Sequence, residues 1–345
     1  MPPDFSVLPV SESAATRKGR VVLALSEEER SLFFPQGFDS VAFESFYHPP
    51  NEPESFEEML RRIDPEAIVT SWSTPALRLE WLEAPRSLRY VCHTSGSVRN
   101  LVPRAFLERG GLVTNWGNLA ARTVAEHALL LILASLRRLS EWRGVISGER
   151  RWQPSPIVTQ TLHGKRVGLH GFGNVAQALV GLLRPFGASI SAFSHGVPEE
   201  LFAVHDVTSV DSLEALFGQS EILVECEALN SFTRGIVTRR LLELLPIGAL
   251  FINVARGALA DEVALGELGR QGRIRLGLDV YSGDPISPDS LLHHVNDAVL
   301  SPHIAGPTSD QFPLCGKLVE RNLQTFFSGL KPEAIVSLEI YDRAT

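Results

Sequence analysis

Residues 165–187 read KRVGLHGFGNVAQALVGLLRPFG, and this stretch decides the fold class. A short apolar run at 166–170 meets a turn with Gly171 and Gly173, and apolar side chains at helical spacing follow. Gly171, Gly173 and Ala176 stand in G-x-G-x-x-A order, a dinucleotide-binding fingerprint when a strand precedes it and a helix follows. Gly171 permits the tight turn, Gly173 lets the backbone approach a pyrophosphate, and Ala176 lets helix and strand pack closely. The helix N-terminus then favours phosphate charge. Phe172, Asn174 and Val175 share the turn and are candidate cofactor contacts.

Working outward, apolar runs at 188–193, 221–226, 249–254, 275–280 and 298–301 alternate with helical segments. That alternation predicts a parallel, doubly wound sheet, and a near-continuous run such as ALFINV (249–254) suits a strand covered on both faces. Upstream, runs at 20–25, 67–72, 88–93 and 112–114 predict a smaller α/β unit. Between the two units, RTVAEHALLLILASLRRLS predicts a helix over 122–140, followed by a Gly-, Arg- and Pro-rich loop over 144–156. The first 19 residues lack a continuous apolar core with a cleavage site and read as a loose leader.

With 345 residues, 44% of them hydrophobic and 21% charged, the chain can bury two cores. A net charge of −8 without a Lys/Arg run argues against a sequence-independent grip on nucleic acid. The most apolar stretch, Ala128 to Leu136, is bounded by charges and falls well short of the roughly 20 residues that span a bilayer, so it predicts a buried helix and no membrane partner. Cys92, Cys226 and Cys315 share no metal-ligand spacing and form no disulfide framework; a reduced, cytoplasmic setting and no metal are expected.

An acidic residue about 20 positions beyond the glycine turn would accept hydrogen bonds from the adenosine ribose. Here that strand ends in Ser194-His195-Gly196, with no carboxylate. From Pro185 to Thr233, however, there is no Lys or Arg to meet a 2'-phosphate, while Glu199, Glu200, Asp206 and Asp211 are present. The reading leans to NAD and leaves NADP open.

Three further segments follow in order: FINVARGALADEVAL (251–265), LGLDVYSGDP (276–285) and LSPHIAGPTSD (300–310). Together with the glycine turn and VTNWGNLAARTVAEHALLL, they make the chain resemble the D-isomer-specific 2-hydroxyacid dehydrogenases, including the glyoxylate/hydroxypyruvate reductases, over roughly residues 20 to 335. The resemblance implies a Rossmann-like cofactor domain (119–306) inserted in a smaller flavodoxin-like substrate domain (20–118 plus 307–340). It implies hydride transfer between a nicotinamide cofactor and a small anionic 2-hydroxy or 2-keto acid, and a homodimer formed through the cofactor domain.

By that resemblance, Arg256 binds the substrate carboxylate and polarises its carbonyl, as a planar, permanently charged fork can. His303 is the acid–base group, and a neighbouring carboxylate stabilises its imidazolium. The family usually has Glu there, five residues after the Asp of the LDV strand and just before Pro; this chain has Asp284, one methylene shorter. Contact with His303 then needs a closer backbone, a shifted ring or a bridging water. Asp279 would orient the nicotinamide carboxamide. Val254, Ala255, Ser194, His195, Ala228 and Thr233 complete the expected cofactor surroundings, with Cys226 and Ala228 replacing a usual His and Pro.

In CHTSGSVRN (92–100), the amides near Ser95, Gly96, Ser97 and Val98 would bind the carboxylate, since successive N–H groups suit anions. Arg99 could meet a second anionic or polyhydroxy group, and Trp72 could line the cleft or belong to the core. Each residue also has a plainer reading: Arg256 as a cap or surface pair, His303 as a turn residue, Asp284 as a solvated turn acid, Arg99 as a solvent-facing cation. Two other functions fit the same fold, a nicotinamide-sensing binding protein akin to the related corepressors and a formate- or phosphite-type dehydrogenase.

Overall fold

The computed structural model describes residues 18–38, 40–50, 55–82, 87–149 and 158–343. Most of the expected leader, residues 1–17, lies outside the described residues, as does the 150–157 part of the Gly-, Arg- and Pro-rich loop. Lys18 leads directly into the first strand.

Two parallel sheets organise the chain. The smaller contains β1 (Gly19–Ala24), β2 (Phe43–Tyr47), β3 (Ala67–Thr70), β4 (Tyr90–His93) and β5 (Leu112–Thr114), in the order β2-β1-β3-β4-β5. Its helices are α1 (Glu27–Phe33), α2 (Phe56–Ile63) and α3 (Arg104–Glu108). Ser26 and Ser55 cap the first two through reciprocal bonds with Glu29 and Glu58, which fixes where each helix begins. Strand β2, FESFY, is absent from the sequence expectations because only Phe43 of its five residues is fully buried. It is an edge strand, and an edge does not need a continuous apolar run.

The chain leaves this sheet through α4 (Leu119–Leu136) and α5 (Leu139–Ile146). One continuous helix over 122–140 is corrected to two: Arg138 adopts a left-handed φ of 59°, contacting Glu141 and pairing with Asp297 at 3.1 Å, so the helix stops after Leu136. By length and composition alone α4 could cross a membrane, but half of it is buried within the protein. Ala125, Ala128, Leu131 and Ile132 form part of the core under the larger sheet.

That sheet has seven strands: β6 (Arg166–His170), β7 (Ser189–Phe193), β8 (Thr208–Ser209), β9 (Ile222–Glu225), β10 (Ala249–Asn253), β11 (Ile274–Leu278) and β12 (Val299–Leu300). Helices α6 (Asn174–Leu183), α7 (Glu199–Val204), α8 (Leu213–Gln219), α9 (Arg239–Leu244) and α10 (Glu262–Arg270) connect them. The order β12-β11-β10-β9-β6-β7-β8 reverses direction between β6 and β9, the switch point at which ligands bind in such sheets. Every residue of β10 and β11 is buried, as continuous apolar strands predict. The chain then returns: α11 (Phe312–Phe327) packs on α1 and β4, Val336 N–H bonds Val113 O at 2.8 Å, and α12 (Leu338–Arg343) closes the smaller unit against α3.

Candidate active site

The expected catalytic residues sit beyond the carboxyl ends of β10, β11 and β12. Asn253, the last residue of β10, clips the next loop twice: its Oδ1 accepts from Ala255 N at 3.0 Å and its Nδ2 donates to Arg256 O at 3.0 Å. A side chain at Gly257 would collide with the backbone of Tyr281 at 1.9 Å, so glycine is what lets this loop lie against the strand end that carries Asp284. Arg256 is half-buried, and its Nη1 donates to Ala255 O at 2.7 Å. Burial pulls its pKa down, and the field of Asp284 partly restores it. Among the described residues no carboxylate forms an ion pair with this guanidinium.

His303 and Asp284 meet directly: Nδ1 of the ring lies 2.5 Å from Asp284 Oδ2. Two devices let the shorter acid reach. His303 has a left-handed φ of 55°, held by bonds from its N–H to Asp279 O (2.8 Å) and Ser301 O (3.1 Å). The SGDP turn is tethered to α10, because Glu262 accepts from Ser282 N at 2.7 Å and from Ser290 Oγ at 2.8 Å. The pair is about half exposed, 45% and 48%, so the ring's other nitrogen is open to the cleft.

Asp279, the residue after β11, is held from several sides. Its side chain is 0% exposed, and its carboxylate accepts from Ser301 Oγ (2.6 Å), Ile304 N (2.9 Å) and Ala305 N (2.9 Å), with His127 Nε2 at 3.4 Å. Burial would raise its pKa, but bonds from His127, Ser301 and the two amides outweigh burial and hold it below the ordinary value. A carboxylate so enclosed organises the His303 loop.

On the opposite wall, His93 at the end of β4 bonds Thr70 Oγ1 through Nδ1 (2.9 Å) and Ser95 Oγ through Nε2 (2.5 Å), all buried. Above it, the amides of Gly96, Ser97 and Val98 donate to no protein acceptor among the described residues. Trp116 connects the two walls: a side chain at Gly96 would meet its ring at 2.8 Å, and one at Gly306 at 3.8 Å. Arg99 faces elsewhere, with its guanidinium 5.9 Å from the Tyr341 ring on α12. Trp72 is 56% exposed rather than core, resting on Phe33 and Phe312.

The glycine turn fits a dinucleotide. Gly171 has φ +90° and lies against the backbone of Cys226 and Glu227, while nothing stands within 4 Å of a side chain built at Gly173. No side chain caps α6, so its first amides are open to a phosphate. Asn174 is exposed and contacts Asn118, Val175 is half-buried, and Phe172 turns its ring inward onto Phe202, leaving only its backbone to the turn. Across the crevice, Thr233 Oγ1 donates to Ala228 O at 2.7 Å, Val254 is buried and Ala255 half-buried. Ser194 is half-buried and His195 exposed.

Residues 129–305 match the NAD binding domain of the D-isomer specific 2-hydroxyacid dehydrogenases. The chain belongs to that family. The dehydrogenase is 30% identical over 301 residues to a glyoxylate reductase of Thermococcus kodakarensis, covering 82% of this chain and 87% of that one. Among solved structures, it is similar to a glyoxylate reductase from Paecilomyces thermophila (TM-score 0.77, 25% identity, 92% and 98% of the two chains). It is also similar to an NADPH-dependent glyoxylate/hydroxypyruvate reductase from Sinorhizobium meliloti in complex with citrate (TM-score 0.76, 25% identity, 95% and 100%). The dehydrogenase is therefore an NAD(P)-dependent oxidoreductase acting on CH–OH donors, moving a hydride between the nicotinamide and a 2-hydroxy or 2-keto acid.

Several residues of the dehydrogenase site escape a motif reading: His127, Ser301, Asn253, His93 and Trp116. His127 left one trace, a polar residue inside an apolar helix, and His93 another, an imidazole closing an apolar strand. Ser301 and Asp279 beside His127, and Thr70 beside His93, are distant in sequence, so no local pattern names these contacts.

Proposed function

We propose that the dehydrogenase reduces a small monocarboxylic 2-keto acid of the glyoxylate or hydroxypyruvate class. The observation that carries this is the half-buried Arg256 guanidinium, in no ion pair with a carboxylate among the described residues, at the cleft that also holds the His303–Asp284 pair at 2.5 Å. A cation so placed is ready for a substrate carboxylate and the adjoining carbonyl oxygen. The open amides of Gly96, Ser97 and Val98 offer a second cradle for the same carboxylate. With Nδ1 bound to Asp284, the Nε2–H of a protonated His303 faces the carbonyl and passes its proton to that oxygen; in the oxidative direction the neutral ring takes it back. The bound nicotinamide supplies the hydride. Arg99 is turned to Tyr341 and is not offered to a phosphate or a second carboxylate, which supports a small acid.

The test is a panel of glyoxylate, hydroxypyruvate, pyruvate and phosphohydroxypyruvate with NADH and NADPH. Turnover of the first two is expected, with kcat/KM reduced about 1,000-fold by Arg256→Ala. Preference for the phosphorylated acid, or an unaffected variant, would refute the assignment.

We further propose that the protein is a homodimer joined through the larger-sheet unit. Support comes from Leu130 on α4 and Leu139, Trp142 and Ile146 on α5, large apolar side chains left exposed on adjacent helices.

A further inference from the structure

A carboxylate stands at the adenosine end of the crevice although the sequence position that normally supplies it holds Ser194. Glu227, from the loop after β9, crosses the switch point: Ser194 Oγ donates to its Oε2 at 3.0 Å, and Ala228 N donates to its Oε1 at 2.9 Å. Its backbone is fixed from two sides. Gly171 lies against it so closely that a side chain there would meet Glu227 Cα at 2.6 Å. Its own N–H donates to Glu225 Oε1 at 2.9 Å, and Glu225 is buried with His170 at 2.6 Å, the two being register partners on β9 and β6.

We infer that Glu227, held by Ser194, is the ribose-binding residue that makes this dehydrogenase select NAD(H) over NADP(H). A carboxylate has about four acceptor sites, two on each oxygen. Ser194 and Ala228 use one on each, which leaves one on each oxygen for the two vicinal hydroxyls of a ribose. A 2'-phosphate in that place would instead meet a like charge. The segment from Pro185 to Thr233 offers no Lys or Arg to compensate. The arrangement exchanges the usual parts: the strand-end position contributes a hydroxyl that steadies the acid, and the neighbouring strand contributes the acid.

The inference rests on the dinucleotide reading of the glycine turn, and its test separates the two. Calorimetric titration with NADH and NADPH, without substrate, is made on the wild type, Glu227→Gln and Ser194→Ala. The wild type should bind NADH at least about 100-fold more tightly, and Glu227→Gln should weaken NADH about 10-fold, tighten NADPH and narrow the ratio to within about 5-fold. Ser194→Ala should narrow it partly. Equal binding of both nucleotides by the wild type, or an unchanged ratio in Glu227→Gln, overturns the role of Glu227 while the dinucleotide site stands. Failure of the wild type to bind either nucleotide overturns both.

Discussion

Asp284 shows how little a side chain's length decides when the backbone is free to answer. Aspartate is one methylene shorter than the family's usual glutamate, yet it touches His303 without a bridging water. The left-handed turn at His303 and the Glu262 tether close the gap, and neither is visible in a motif. Because this contact orients the imidazole, Asp284→Asn should lower kcat/KM for keto-acid reduction about 10- to 100-fold. A kcat/KM equal to that of the wild type would remove Asp284 from the proton transfer. The identities of Arg256 and His303 were legible because each lies inside a short contiguous motif. The enclosure of Asp279 was not, since it depends on His127 and Ser301, distant from it along the chain.

At the scale of elements, strands with buried faces announced themselves and edges did not. The runs at 166–170 and 112–114 coincide with β6 and β5, whereas β2 and the two-residue β8 carry too little apolar character to stand out. The end of β4 carries a testable cost. Burial pushes His93 down to about 4, against the milder opposing pull of Glu29. Between pH 6.5 and 4 the unfolded chain therefore takes up a proton that the folded protein refuses. Stability contributed by this site is intact above pH 6.5, declines as pH falls through that window, and is lower by roughly 3 kcal/mol beneath it. Urea unfolding at pH 7 and pH 4.5 should show a smaller loss in His93→Asn than in the wild type. Parallel losses in the two proteins would assign the acid sensitivity to other groups.

For the whole molecule, the two parallel sheets followed from the alternation of runs, because a parallel strand needs a crossover and the crossover here is helical, whereas their strand order did not. What alternation does not encode is how the two units face each other. The polypeptide passes between them twice, outward through α4 and back into α11. The exposed apolar residues of α4 and α5 lead to an expected mass near twice 37.9 kDa in sedimentation equilibrium, reduced towards one chain by Leu130→Asp combined with Ile146→Asp. A wild-type mass of one chain at micromolar concentration would dismiss the homodimer.

Trp116 lies on the outward passage, its indole against Gly96 on one wall and Gly306 on the other. The indole packs on the smaller unit's core from one side, so any change in the gap to Gly306 alters the polarity around the ring itself. The protein thus carries at its cleft a fluorophore whose emission, isolated by replacing the other four tryptophans with Phe, would follow opening and closing without an added label.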